Sequence, residues 1–424
     1  MNRTRVKVAS VSSTLLMLGL LVGSSSAFAS TTPAVKRAAA SGTLTVAVTA
    51  GFSGNEAFIG PRILNGVEVA VQQINAAGGL LGKKLRIVTA DTANDPVDAV
   101  PAVSQVIATQ HPFAMIGPAS VTIMAVVRQI NQDKLVDVTL GGTTELDHMR
   151  YPYIFRTSPS DSQLGVAMAY YGIKKGYKRA ALVFDSSSSA QTLTAPVAAT
   201  LKKHGVKVVI NESIVSDQSS YRSEIERLIL SKPSVIFMQV DPQTASTFFS
   251  ELQQLGGGNI PVIGSDVTAA ASFAKAMTYP YAERVLTSVQ GSTIGGPAAN
   301  LYTRFYTRYF HGQQPLTLSN NAYDAMNIIA MAVLEAKSAS PSKYVKDMVR
   351  VANGPGASVY DFAQGAKLIK EGKPVNYQGA SGPENFNRYH NVTGAFEAVK
   401  WVNAKGGPQL APLAQITPMQ LLGY

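Results

Sequence analysis

The sequence contains no cysteine, which excludes disulfide bonds, thiolate metal sites and a lipid-modified cysteine. Its five histidines lie far apart, with no pair at i, i+4 spacing, so we expect no bound metal. No G-x-S-x-G motif surrounds the serine run 186–189, and no G-x-G-x-x-G motif follows the first predicted strand. These absences argue against a serine hydrolase and against a dinucleotide cofactor, and we expect no cofactor.

Acidic residues are few compared with basic ones, and the formal net charge of the 424-residue chain is +11. Three of the positive charges lie in the first 29 residues, which contain no acid, so the rest of the chain carries about +8. Lysine and arginine are scattered along the predicted helices without a dense run. We therefore interpret the charge as an aid to solubility and expect no nucleic-acid partner.

The first 29 residues have the pattern of a secretory signal peptide. Arg3, Arg5 and Lys7 precede an apolar run, and the sequence Ala27-Phe28-Ala29 follows it. A membrane anchor is the alternative, but serines within the run and the small residues after it favour cleavage after Ala29. Residues 30–41 predict a flexible leader. We expect a periplasmic, monomeric protein that is not a lipoprotein, with secretion into the medium as the alternative location.

From Leu44 onward, short apolar strands alternate with amphipathic helices, which predicts an α/β fold with parallel sheets. The clearest unit covers 63–96, where a helical stripe of apolar residues ends at Gly78-Gly79 and is followed by the strand LRIVTA. The alternation breaks near 157–161 and then restarts. Two such runs predict two doubly wound, Rossmann-like lobes.

Several segments, spread over nearly the whole chain, together carry a family resemblance. They are NGVEVAVQQINAAGGLLGKKLRIVTADTANDP, MIGPAS, VTLGGTTEL, FRTSPSDSQLG, AYDAMNIIAMAVLEA and YQGASGPENFN with the later VTGAFE. In this order, the sequence resembles the periplasmic solute-binding proteins of the Leu/Ile/Val-binding type, which supply ABC importers. The resemblance implies a type I periplasmic binding (Venus-flytrap) fold, with three hinge crossovers and a ligand between the lobes. It assigns 42–158 and 289–375 to lobe 1, and 159–288 and 376–415 to lobe 2.

The resemblance also implies site residues in the small, polar loops that follow the strands. The loop Gly141-Gly142-Thr143 matches the family loop that binds the α-carboxylate and amine of the ligand, and Asp266 matches the acid that pairs with the ammonium group. The family's carboxylate-binding serine falls at Val121, so Ser120 or Thr122 would replace it. Three further positions complete the predicted site: Phe58 as an aromatic lid, Ser189 in place of a family tyrosine, and Asp241, which follows an expected aromatic position occupied by Val240.

Each of these residues has a purely structural alternative. Thr143, Ser120 and Thr122 are also typical helix-capping residues, and Asp266 would cap a predicted helix at 269–277. Phe58 would equally suit a hydrophobic core. Because two family aromatic positions are small or aliphatic here, the resemblance does not imply leucine as the ligand.

The sequence therefore favours a non-catalytic binding protein that delivers an amino acid, or a related small polar or amphipathic metabolite, to an ABC permease. Two alternatives stay open. One is a ligand sensor that docks on a membrane receptor and uses the same lobes. The other is a secreted α/β hydrolase, for which the sequence offers no recognisable set of nucleophile and base.

Overall fold

The structure is a computed structural model that describes residues 42–54, 57–292 and 295–424. The predicted signal peptide and leader lie outside the described residues. Within them, the chain forms two α/β lobes, each with a central sheet covered by helices on both faces. None of the helices in these ranges is long and apolar enough to cross a membrane.

Lobe 1 is built on five parallel strands with three helices between them. Its strands are β1 (Thr43–Ala50), β2 (Lys84–Asp91), β3 (Ala114–Ile116), β4 (Asp137–Thr139) and β5 (Ile154–Arg156), in the sheet order β2-β1-β3-β4-β5. The helices are α1 (Ile59–Ala76), α2 (Pro96–Gln110) and α3 (Ser120–Gln132). As predicted, the apolar stripe of α1 is buried, and Gly78 and Gly79 follow it at φ of +102° and +80°.

Lobe 2 repeats this pattern in a sheet of seven strands. Its first part contains α4 (Asp161–Lys174), β6 (Arg179–Asp185), α5 (Ser188–Lys203), β7 (Lys207–Ile214), α6 (Arg222–Leu230), β8 (Val235–Gln239), α7 (Pro242–Gln254) and β9 (Val262–Gly264). Then follow α8 (Ala271–Met277), α9 (Tyr279–Val285) and β10 (Leu286–Ser292). The helix predicted at 269–277 begins later than predicted. Asp266–Ala269 form a 3₁₀ helix, and α8 begins at Ala271.

The chain then returns to lobe 1 and crosses once more to lobe 2. The returning part contains α10 (Pro297–Tyr309), α11 (Ser319–Glu335), α12 (Pro341–Asn353), β11 (Ala357–Val359), α13 (Phe362–Lys370) and β12 (Val375–Tyr377). The last elements are β13 (Ala395–Ala404), β14 (Gly407–Ile416) and α14 (Pro418–Leu421). Strands β13 and β14 extend the second sheet as an antiparallel hairpin, giving the order β14-β13-β10-β9-β8-β6-β7.

Two of the crossovers lie later in the chain than the sequence analysis placed them. Strand β10 pairs with β9 and β13 as far as Ser292, so lobe 2 includes residues that were assigned to lobe 1 from 289 onward. Tyr377, Phe386 and Val392 pack in the hydrophobic core of lobe 1, although 376–415 was assigned to lobe 2. Pairing partners and core contacts decide these boundaries, and the turn-rich sequence near them does not reveal them.

Candidate ligand-binding cleft

A cavity of about 80 Å³ lies between the two lobes, beyond the carboxyl ends of the parallel strands. A single water needs roughly 10–15 Å³ of such volume, so the cavity has room for a small molecule. Its position agrees with the general rule that open α/β sheets bind ligands at this edge.

The lobe 1 side of the cavity consists of uncharged residues. They are Ile59, Asn94, Ala119, Ser120, Val121, Leu140, Gly142, Thr317, Leu318 and Asn321. The hydroxyl of Ser120 accepts a hydrogen bond from the backbone N–H of Gly142 at 2.7 Å, which joins the first turn of α3 to the loop after β4. Ser120 and Val121 are the first two residues of α3, where backbone N–H groups have no partner within the helix.

The lobe 2 side carries two carboxyl groups. Its lining residues are Asp161, Leu164, Ser189, Gln239, Asp266, Val267 and Phe396. Gln239 donates a hydrogen bond to the hydroxyl of Ser189 at 3.2 Å, which orders the polar part of this wall. Among the described residues, no lysine or arginine lines the cavity.

Asp161 is the first residue of α4, and it joins the two lobes. Its backbone N–H donates to the carbonyl oxygen of Gly142 at 2.6 Å, and its carboxylate accepts from the hydroxyl of Thr192 at 2.7 Å. A Cβ atom on Gly142 would lie only 2.1 Å from Asp161 Oδ1, so the close approach requires glycine at position 142. Burial, reinforced by the nearby Asp266, raises the pKa of Asp161 to about 7.

Asp266 begins the 3₁₀ helix after β9 and accepts a hydrogen bond from the backbone N–H of Val267 at 3.0 Å. Burial raises the pKa of its carboxyl group, while the hydrogen bond from Val267 and the charge of Arg62 act in the opposite direction. Arg62 belongs to α1 of lobe 1, and its guanidinium lies 4.8 Å from the ring centre of Phe58. The attraction between Arg62 and Asp266 therefore acts across the cleft.

Four of the nine predicted site residues line the cavity, namely Ser120, Gly142, Ser189 and Asp266. The other five do not line it. Thr122 is fully buried, and its hydroxyl donates to the carbonyl of Ala119. The backbone N–H of Gly141 donates to Thr139 Oγ1. Thr143 is buried just before a 3₁₀ helix, and its carbonyl accepts a hydrogen bond from Arg156. Phe58 packs on the hydrophobic core of lobe 2, and Asp241 caps α7.

The sequence analysis did not select Asp161 or Gln239. An acid in the first turn of a helix usually indicates only a favourable charge at the helix N-terminus, and Asp161 fits that ordinary description. Gln239 ends a buried strand, and nothing in its sequence neighbourhood distinguishes it. Within the described ranges, no group of three or more His, Cys, Asp or Glu side chains could hold a metal ion.

A family model described as periplasmic binding protein matches residues 43–407. A Leu/Ile/Val-binding protein from Rhizobium johnstonii is 25% identical over 305 residues, covering 71% of this chain and 82% of the relative. A Leu/Ile/Val-binding protein homolog from Brucella melitensis is 23% identical over 393 residues, covering 92% of this chain and 99% of the relative. These matches extend over both lobes.

Solved structures show the same fold at low sequence identity. A leucine-binding protein from Thermotoga maritima superposes with a TM-score of 0.75 at 18% identity, covering 89% of this chain and 99% of that protein. A solute-binding protein of an ABC transporter from R. palustris, solved with benzoate, has a TM-score of 0.71 at 20% identity, covering 88% and 96% of the two chains. The fold is thus shared by proteins with chemically different ligands.

Proposed function

Because the chain belongs to the periplasmic binding protein family, we propose that it binds an amino acid, or a closely related metabolite with an amine, in the cleft between its lobes. The family and the structural neighbours are solute-binding proteins of ABC transporters and not enzymes, and the family implies a periplasmic location. Delivery of the bound amino acid to a membrane permease completes the proposal.

The observation that carries the proposal is the pair of carboxyl groups in the lobe 2 wall. Asp161 and Asp266 both line the cavity, and no basic side chain of the described residues lines it with them. Burial raises the pKa of both carboxyl groups, so a ligand ammonium group would stabilise the charged form of either acid. An aromatic acid such as benzoate would instead add a third negative group.

The carboxylate end of an amino acid has a separate place to bind. Residues at or next to the N-termini of α3, α5 and α11 line the cavity, namely Ser120, Ser189 and Leu318. Helix N-termini present backbone N–H groups and a partial positive charge, which favour an anion. A cavity that holds both carboxyl groups and helix N-termini matches a zwitterion.

The apolar lining residues support a small aliphatic side chain on the ligand. Val121, Leu140 and Leu164 contribute methyl groups to a cavity of about 80 Å³, and Phe396 is the aromatic residue in its wall. A bulky polar side chain of a ligand, placed against these apolar residues, would lose hydration without gaining hydrogen-bond partners from them.

A ligand screen on the purified protein, unfolded and refolded to release retained molecules, tests the proposal. We expect that L-valine, L-leucine or another small amino acid raises the Tm in a concentration-dependent way, and that benzoate does not. Stabilisation by benzoate, or a folded protein stabilised by no member of an amino acid panel, would overturn it.

Export is a second part of the proposal. We propose that the signal peptide is removed after Ala29 and that the mature protein is released as a monomer without a lipid anchor. N-terminal sequencing of the exported protein should begin at Ser30, and a start at Met1 in the membrane fraction would contradict cleavage.

A further inference from the structure

A second, smaller cavity lies where the chain passes between the lobes. All three crossovers contribute to its wall, through Thr157 and Pro159, through Gly291 and Ser292, and through 392–395. Ser381 and Glu384 of lobe 1 also line it, together with Asn320, Asn321, Gly382 and Pro383. The volume is about 20 Å³, which is room for a single water.

Two buried carboxyl groups meet beside this cavity. Asp324 of α11 is fully buried and Glu384 is 2% exposed. The hydroxyl oxygen of Ser381 lies 2.6 Å from Asp324 Oδ2 and 2.6 Å from Glu384 Oε1, so it bridges the two acids. A Cβ atom on Gly379 would lie within 3 Å of both side chains, which shows how tightly they pack.

If both acids were charged, the bridge would have one hydrogen, which is too few to link the hydroxyl to both carboxyl groups. A serine hydroxyl has one hydrogen and can donate to only one of the two carboxyl oxygens. If both acids were charged, the second carboxylate oxygen would face the lone pairs of the Ser381 hydroxyl oxygen instead of a hydrogen, and the two oxygens would repel each other. The other oxygen of Glu384, Oε2, is buried without a hydrogen-bond partner in the described part of the chain.

The two acids differ in how well their charge is stabilised. Asp324 accepts four hydrogen bonds, from the Tyr377 hydroxyl at 2.6 Å, the Ala380 N–H at 2.7 Å, and the N–H and hydroxyl of Ser381 at 2.7 and 2.6 Å. Within the described residues, the carboxyl group of Glu384 has a single hydrogen-bond contact, the one to Ser381. Asp324 is therefore the better site for the negative charge, and Glu384 for a proton.

We propose that Asp324, Ser381 and Glu384 form a proton-binding site at the hinge, in which Glu384 is a neutral acid at neutral pH. Glu384 Oε1 donates its hydrogen to Ser381 Oγ, and Ser381 donates to Asp324 Oδ2. The bound proton joins α11 to the segment that lines the crossover cavity, and its loss places two negative charges side by side, one on α11 and one in that segment.

Among the described residues, the groups around the site do not supply a compensating cation. Those that face Asp324 from α10, α11 and β12 are the phenols of Tyr302, Tyr323 and Tyr377, whose pKa values are all raised by burial, so they are neutral. Burial and the charge of Asp324 raise the pKa of Glu384 well above its usual range. On the crossovers, Arg156 is paired with Asp147, and His390 contacts the carbonyl of Ile154.

The sign of the pH dependence follows from the proton count. The folded protein holds the proton at a higher pH than the unfolded chain does, so this site stabilises the fold at acidic pH. That stabilisation is lost as the pH rises through the pKa of Glu384 in the folded protein.

Thermal unfolding of the full chain from pH 5 to pH 9 tests the proposal with Glu384→Gln and a control, Glu226→Gln. A glutamine can donate to Ser381 at every pH, whereas Glu226 is exposed on α6 of lobe 2. We expect the Tm of the wild type and of the control to fall by about 2–4 °C relative to Glu384→Gln over this range. Parallel curves for the three proteins would overturn the proposal.

Two further measurements keep the proposal testable if Glu384→Gln does not fold. In wild-type protein labelled with ¹³C at glutamate carboxyl groups, the infrared band of a protonated glutamic acid should be present at pH 7 and disappear at higher pH. Its absence at pH 7 would overturn the proposal. Replacing sodium by tetramethylammonium at constant ionic strength should leave the Tm unchanged, and a sodium-dependent Tm would mean that a metal cation occupies the site instead.

Discussion

The lobe 1 wall of the cleft offers the N-termini of α3 and α11 and no charged side chain among the described residues, whereas the lobe 2 wall offers two carboxyl groups beside the N-terminus of α5. Ser120 and Val121 represent the first type, and Asp161 and Asp266 the second. Lobe 1 is thus suited to a negative group and lobe 2 to a positive one. A zwitterion would contact both walls only when the lobes are close together, which links ligand chemistry to closure.

The largest effect should come from removing the charge of Asp266. We expect Asp266→Asn to weaken amino acid binding by about 2–5 kcal/mol, because the ligand ammonium would lose a buried charged partner. Asp241 provides a matched control in the same lobe, since it caps α7 and lies outside the cavity. Asp241→Asn should leave Kd unchanged and change stability little, because asparagine caps a helix about as well as aspartate. Calorimetric titration and urea unfolding measure both, and equal Kd changes would contradict the assignment of Asp266.

A smaller effect should follow from disturbing the contact between the two walls. In Gly142→Ala the new methyl group would overlap Asp161 Oδ1, and we expect a loss of about 1–3 kcal/mol in the free energy of unfolding together with weaker binding. Gly423→Ala is the control, because a methyl group there would meet open space and Gly423 does not line the cavity. If both variants unfold at the same urea concentration as the wild type, the walls do not meet at Gly142.

The pH dependence of binding should reveal the charge of the lobe 2 wall. The pKa of Asp161 is raised to about 7, and a ligand ammonium group favours its ionised form. Protonation therefore competes with the ligand, and we expect Kd to rise about tenfold, roughly 1.4 kcal/mol, between pH 8 and pH 6. Asp161→Asn should bind more weakly and lose most of this dependence. A wild-type Kd that is constant over this range would show that the charge of Asp161 does not contribute to ligand binding.

Much of the fold was predictable because the period of apolar residues sets each element. The stripe of α1 and the double glycine after it gave a helix and its end, and the alternation of strands and helices gave parallel sheets. Strands β10 and β13 are examples of elements whose partners are distant in sequence, since helices α10 to α13 separate them in the chain. Their pairing depends on contacts that no local pattern records.

The candidate site was predictable only in part, for the same reason. Loops after strands placed Ser120, Gly142, Ser189 and Asp266 at the correct edge, because parallel strands end at one edge of a sheet. Local sequence could not tell that Thr143 would be buried behind Gly142 or that Asp241 would cap its own helix. In these cases a displacement of one or two residues along a loop decides whether a residue reaches the cavity.

The sequence by itself determined the family, the alternation of elements and the edge at which a ligand would bind, since these depend on the order of local patterns. The tertiary structure decided which acids meet. Asp161 approaches Gly142 and Asp266 in the cleft, and Asp324 approaches Glu384 beside the crossovers, across 60 residues of chain. Burial and proximity set the charge of these groups, and both arise only when distant segments pack together.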